Sequence, residues 1–154
     1  MGKKPNRVVR YRIENEKFLE QMAQEEGIVA LESGILIREL QKGNGLRSPQ
    51  LKSTVYVHYV GRLIDGTVFD STEGGLPACF RVDELIVGWQ AALLRMHEGD
   101  TFRIYIPARY GYGSSKIEGI PAWSTLDFTL TLVKVLLLRA WQVHRHVACQ
   151  LAYA

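Results

Sequence analysis

Five aromatic residues carry the most distinctive chemistry in the chain: Tyr59, Phe69 directly before Asp70, Trp89, Tyr112 and Phe128. Such rings offer apolar surface, with a hydroxyl tip on each tyrosine. Taken singly, each reads as a core residue. Conventional catalytic sets are missing: Gly-x-Ser-x-Gly, Walker A, His-Glu-x-x-His and the dinucleotide fingerprint are all absent. Nucleophilic, phosphoryl-transfer and metal-assisted chemistries therefore lose their usual support. His58 falls within a strand-like run and His97 beside a turn, positions that suit structural or exposed histidines better than bases. Cys79 and Cys149 stand seventy positions apart without a CxxC pair, which speaks against a disulfide framework or a zinc site. His144 and His146 are two apart and would point away from each other on a helix. No metal and no cofactor is expected.

To act together, these residues need elements that hold them. A length of 154 residues suits one domain with a short appendage. A hydrophobic share of 47% and a charged share of 23% exclude wholesale disorder and collagen-like repetition. The net charge of +3 is too small to demand nucleic acid as a partner. From Thr54 to Val135, seven basic residues face nine acidic ones, so the basic excess belongs to the flanks. Residues 1–12 hold Lys3, Lys4, Arg7, Arg10 and Arg12 and no acid. Without interleaved aromatics or a wide apolar face, that stretch reads as a solvated, frayed arm. No apolar h-region follows it, and no apolar run exceeds four residues, as in Val135 to Leu138, which stops at Arg139. A soluble protein with neither signal peptide nor spanning helix is expected.

The periodicity predicts a helix over about Ile13 to Glu25, with Phe18, Leu19 and Met22 on one side and Gly27 as its stop. Residues 34–40 read as a strand ended by the Lys42–Gly45 turn. From Ser53 to Val60, Val55, Val57 and Tyr59 alternate with Tyr56, His58 and Val60, as in a half-buried strand. Asp65-Gly66 then predicts a hairpin joining Arg62–Leu63 to Val68–Phe69. A strand piece follows over 79–82, and a helix over 86–96 with Trp89, Ala92, Leu93 and Met96 on one face. Strands are expected over 101–106 and 126–132. The nineteen residues between them lack an evident element, which marks a functional loop. The tail, 139–154, reads equally well as a docking helix or a loose extension. The pattern is α+β: antiparallel strands around one short helix.

Val57-His58-Tyr59-Val60-Gly61, Asp65-Gly66-Thr67-Val68-Phe69-Asp70-Ser71 and Val87-Gly88-Trp89 resemble successive blocks of the FKBP-type peptidyl-prolyl cis-trans isomerases. Glu98-Gly99-Asp100, Ile106-Pro107, Tyr110-Gly111-Tyr112-Gly113, Ile120-Pro121 and Thr125-Leu126-Asp127-Phe128 continue the match in order. The likeness spans about residues 34–136. The stretch from Glu16 to Leu40 also resembles the lead-in of the bacterial macrophage-infectivity-potentiator-like branch. The resemblance thus divides the chain into a basic arm and helix (1–33), an isomerase domain (34–136) and a C-terminal extension (137–154).

That resemblance implies a twisted antiparallel sheet wrapped over one short helix, and an apolar pocket lined by Tyr59, Phe69, Ile86, Trp89, Tyr112, Ile120 and Phe128, with Asp70 and Leu85 at its rim. It implies that Trp89 is the floor, that the Ile86 N–H and the Tyr112 hydroxyl donate to substrate carbonyls, and that Asp70 accepts hydrogen bonds at the edge. Two departures stand out. Ala78 occupies a position where the family often has an aromatic, which opens one wall, and the 114–119 loop is one residue short and lacks a histidine. The implied activity is rotation about X-Pro bonds in unfolded or flexible chains, without covalent chemistry. The alternatives are a module that holds proline segments with little turnover, or an assembly element using 13–26 and 139–154. Proline-containing peptides are the implied partners, with a macrolide as inhibitor and a homodimer through the N-terminal helix. The compartment is cytoplasmic for the sequence as it stands, and periplasmic or secreted if a signal peptide has been removed.

Overall fold

A computed structural model describes residues 2–136. The readings of the tail, with Trp141, His144, His146 and Cys149, lie outside the described residues. The elements are α1 (Arg7–Met22), β1 (Val29–Ala30), β2 (Leu36–Gln41), β3 (Thr54–Arg62), β4 (Val68–Ser71), β5 (Ala78–Arg81), α2 (Val87–Leu93), β6 (Thr101–Ile106) and β7 (Leu126–Leu136). The strands form one antiparallel sheet in the order β1-β2-β6-β7-β3-β4, with β5 also pairing β3. The α+β architecture expected from the sequence is the one observed.

The periods seen in the sequence become faces. Val55 and Val57 of β3, Ile104 and Ile106 of β6, and Leu126, Phe128, Leu130 and Leu132 of β7 are all buried. Against them packs α2, whose Trp89, Ala92 and Leu93 are buried, as is Met96 just beyond its end. Gly88 is what lets α2 come so close, because a Cβ there would lie 2.5 Å from Ile106. Asp65-Gly66 makes the expected tight turn between β3 and β4: Gly66 has φ +88° and the Thr67 N–H donates to Asp65 Oδ1 at 2.9 Å. Across β6 and β7, Arg103 grips buried Asp127 with two bonds of 3.0 and 2.8 Å, which pushes the guanidinium pKa further up.

The largest difference from expectation lies at the N-terminus. Residues 7–12 are not a frayed arm but the first turns of α1, which starts six residues before the expected Ile13. Asn6 caps it by accepting from the Val9 N–H at 2.9 Å. Tertiary contacts then hold the helix in place: the Tyr11 hydroxyl meets Ser124 Oγ at 2.7 Å, the Thr125 N–H donates to buried Asn15 at 2.8 Å, and Phe18 sets its ring edge-on to Tyr105 at 5.7 Å. The helix ends at Met22 rather than Glu25, and Gly27 follows at φ +80°.

Smaller differences follow the same logic of tertiary context. The helix predicted to run to Met96 ends at Leu93, and β7 runs on to Leu136 because β3 continues to pair with it. Residues 107–125 contain a single 3₁₀ turn at Ala108–Tyr110 and an isolated bridge between Ile117 and Ile120. Cys79 on β5 is disulfide-bonded, where the sequence led to no disulfide being expected.

Candidate functional site

Four of the five aromatic residues singled out in the sequence, Tyr59, Phe69, Trp89 and Phe128, meet where β3, β4 and β7 pass the start of α2, while Tyr112 makes no ring contact with them among the described residues. Trp89, on the first turn of α2, stands edge-on to Phe128 at 5.1 Å and to Tyr59 at 4.9 Å. Phe69 of β4 meets Phe128 at 5.5 Å, with the ring planes 86° apart. All these pairs have the edge-to-face geometry that aromatic quadrupoles favour. Trp89, Phe128 and Ile120 are 4%, 3% and 5% exposed, whereas Tyr59 and Phe69 are only half-buried. The cluster therefore has a buried floor and walls that reach solvent. A core cluster would be closed on every side.

Backbone choices make room for it. Gly61 on β3 lies opposite Phe128 on β7, and a Cβ there would come 2.7 Å from both Phe128 and Phe69. Two rings fill the space that a side chain would take. At the mouth of α2, Ile86 is the residue before the helix, and its carbonyl accepts from the N–H groups of Trp89 and Gln90. Its own N–H makes no backbone hydrogen bond among the described residues, as expected for a group at a helix start. The indole N–H of Trp89 is buried and without a hydrogen-bond partner among the described residues.

The polar edge is built by Tyr59 and Asp70. The Tyr59 hydroxyl donates to Asp70 Oδ2 at 2.6 Å. Burial, then this bond and the negative charge of Asp70, raises the Tyr59 phenol pKa well above its ordinary value. Asp70 and Tyr112 are exposed, so the phenol bridges the apolar floor and water. In the long loop, Gly119 approaches Phe69, and Ile120 is buried in the core cluster. Leu85, Ile86 and Ala78 are half-buried against that same core.

Two residues of this cluster were not singled out by sequence reasoning. Phe80 on β5 packs against Trp89 at 5.9 Å and Tyr59 at 6.3 Å. Its signal was available: an aromatic in the strand run beside Ala78. Gly61 is the other, and its signal was a glycine interrupting a strand pattern. His58 and His97 take the structural or exposed positions expected of them. His58 Nδ1 lies 2.9 Å from Thr72 Oγ1, and His97 is exposed beside Asp100. Among the described residues no group of three or more His, Cys, Asp or Glu could hold a metal ion, and no helix is long and apolar enough to cross a membrane.

The site can exclude water from a small apolar group on Trp89 and Phe128, and can meet its polar flanks at Asp70 and Tyr112. Residues 45–133 match the model of the FKBP-type peptidyl-prolyl cis-trans isomerase family. The chain is 43% identical over 120 residues to the macrophage infectivity potentiator of Trypanosoma cruzi, covering 77% of this chain and 61% of that protein. It is 42% identical over 125 residues to the FKBP-type 22 kDa peptidyl-prolyl cis-trans isomerase of Escherichia coli, covering 80% and 60%. The chain thus spans about three-fifths of the length of these relatives. The fold superimposes on a peptidyl-prolyl cis-trans isomerase from Pseudomonas syringae with a TM-score of 0.77 at 32% identity, covering 86% of this chain and 98% of that one. FkpA from Escherichia coli gives a TM-score of 0.78, also at 32% identity, covering 83% and 60%. The chain belongs to the FKBP-type peptidyl-prolyl cis-trans isomerase family.

Proposed function

We propose that this chain accelerates cis–trans rotation about X-Pro bonds, with the proline ring seated on Trp89 among Tyr59, Phe69 and Phe128. The observation that carries the reading is the edge-to-face cluster with a buried floor and half-exposed walls. Rotation is slow because amide resonance is lost in the twisted state, at a barrier of ~18–20 kcal/mol. Water stabilises the charge-separated planar amide more than the twisted one. Seating the bond on apolar rings removes that advantage, and a shape that fits the twisted geometry adds to the effect. Each decade of rate needs only ~1.4 kcal/mol of preference. No base, nucleophile or metal is required.

In this reading the free N–H of Ile86 and the Tyr112 hydroxyl donate to carbonyls on either side of the proline, and Asp70 accepts at the edge. Ile120, Leu85 and Ala78 shape the walls, with Ala78 leaving one side open. The isomerase unit is 34–136, preceded by the docked helix of 1–33 and followed by the extension 137–154. A macrolide would occupy the same floor and report through Trp89 fluorescence. The outward-facing Val9 and Ile13 of α1, 44% and 40% exposed, are the surface for a homodimer, which sedimentation as a monomer at working concentration would refute. One relative, from Legionella longbeachae, is named an outer membrane protein, and Cys79 is disulfide-bonded. The name of that relative favours an exported setting over a cytoplasmic one.

Exchange NMR of an X-Pro peptide with the whole chain tests the activity. Faster exchange than in buffer is expected. Binding without faster exchange would replace this reading with a module that holds proline segments.

A further inference from the structure

A second concavity, of about 670 Å³, is lined by residues of the 116–122 loop and of the first turns of α1. Its lining pairs three cations, Arg7, Arg10 and Lys116, with the apolar surfaces of Val8, Tyr11 and Pro121, and Glu14 is the acid among them. None of the three cations forms an ion pair or hydrogen bond among the described residues, whereas Arg12, Arg81 and Arg103 each have a carboxylate partner. The loop is a shared wall. Gly119 approaches Phe69 of the aromatic site, buried Ile120 belongs to the same core as Trp89, and the next residue, Pro121, faces the second concavity. Tyr11 is fixed to the loop's far end by its bond to Ser124, so the helix side of the trough is held in place.

We infer that this trough is an accessory subsite for an acidic, partly apolar segment of the same client chain whose proline sits in the aromatic site. The inference rests on the isomerase reading and adds a substrate class to it: X-Pro sequences flanked by Asp and Glu. An extended chain advances ~3.3–3.6 Å per residue, and the loop it would cross touches both places, through Gly119 at Phe69 and through Pro121 at the trough. Unpaired guanidinium and ammonium groups on an apolar bed offer charge-assisted bonds to carboxylates and contact to neighbouring aliphatic side chains. The attraction is between exposed groups and is therefore screened by salt.

The test uses the whole chain and three peptides that share one X-Pro core and carry four glutamates, four glutamines or four lysines beside it. Exchange NMR gives kcat and KM for each. The glutamate peptide is expected to show a KM about tenfold below the glutamine peptide at low salt, from several exposed pairs acting together, with kcat unchanged and the advantage lost at high salt. In the triple variant Arg7→Gln, Arg10→Gln, Lys116→Gln, that advantage is expected to vanish while the glutamine peptide is turned over as before. Equal KM for the glutamate and glutamine peptides, or a preference that survives in the variant, would overturn the subsite and leave the isomerase reading standing. No turnover of the glutamine peptide would overturn the isomerase reading and the subsite with it. Anionic phosphatidylglycerol vesicles form the last arm: binding of vesicles through these three cations, with no discrimination among peptides, would assign the patch to a membrane surface instead.

Discussion

At Asp70, function and stability come apart. Its carboxylate is exposed and accepts a hydrogen bond from the Tyr59 hydroxyl, so Asp70→Ala removes the polar edge of the site while leaving the packing intact. Activity on X-Pro peptides is expected to fall severalfold, with a stability change within about 1 kcal/mol in urea denaturation. Gly61→Ala is expected to do the reverse kind of damage: its Cβ would drive against Phe69 and Phe128 at 2.7 Å, costing about 1–3 kcal/mol and lowering activity through displaced rings. Tyr59 adds a pH dependence. Burial and the Asp70 bond hold its folded pKa above the unfolded value of ~10, so its contribution is complete below that pH and is lost as pH rises beyond it. Tyr59→Phe is therefore expected to lose less stability than the wild type between about pH 9 and pH 11, as read by denaturant midpoints. The rings were legible in the sequence because aromatic type and position survive as letters. Phe80 and Gly61 were not, since one read as an ordinary strand residue and the other serves by having no side chain.

Among the elements, α1 shows what periodicity misses. Its start depends on the Asn6 cap, set within a run of basic residues that looked like a solvated arm. Its seat depends on Asn15, a polar residue that no apolar pattern marks as buried. Asn15 accepts from the Thr125 N–H and donates to the Tyr11 carbonyl, both at 2.8 Å. Asn15→Ala is expected to cost about 1–3 kcal/mol, because it leaves the buried Thr125 N–H unpaired, and hydrogen exchange at the Thr125 amide should quicken. A variant as stable as the wild type would show that the helix is held without this bond. The strands were legible because alternation is local: β6 runs over Thr101–Ile106, as its pattern required. The two-residue β1 was not, because it exists only through pairing with β2. The two-residue length of such a strand leaves no pattern to read.

For the whole molecule, a single antiparallel sheet brings side chains from β3, β4, α2 and β7 to one place although they are far apart in sequence. That assembly could be anticipated only through the order of the family's blocks; the elements themselves gave the α+β class and no site. The trough under α1 was not legible at all, since it arises from how a helix docks on a loop. In the proposed mechanism an apolar floor, rather than proton transfer, speeds the rotation. Exchange NMR of one X-Pro peptide with the whole chain, run in H₂O and in D₂O, tests it most directly. The expected result is acceleration in both solvents with a rate ratio close to unity. No acceleration, or acceleration with a substantial solvent isotope effect, would contradict it.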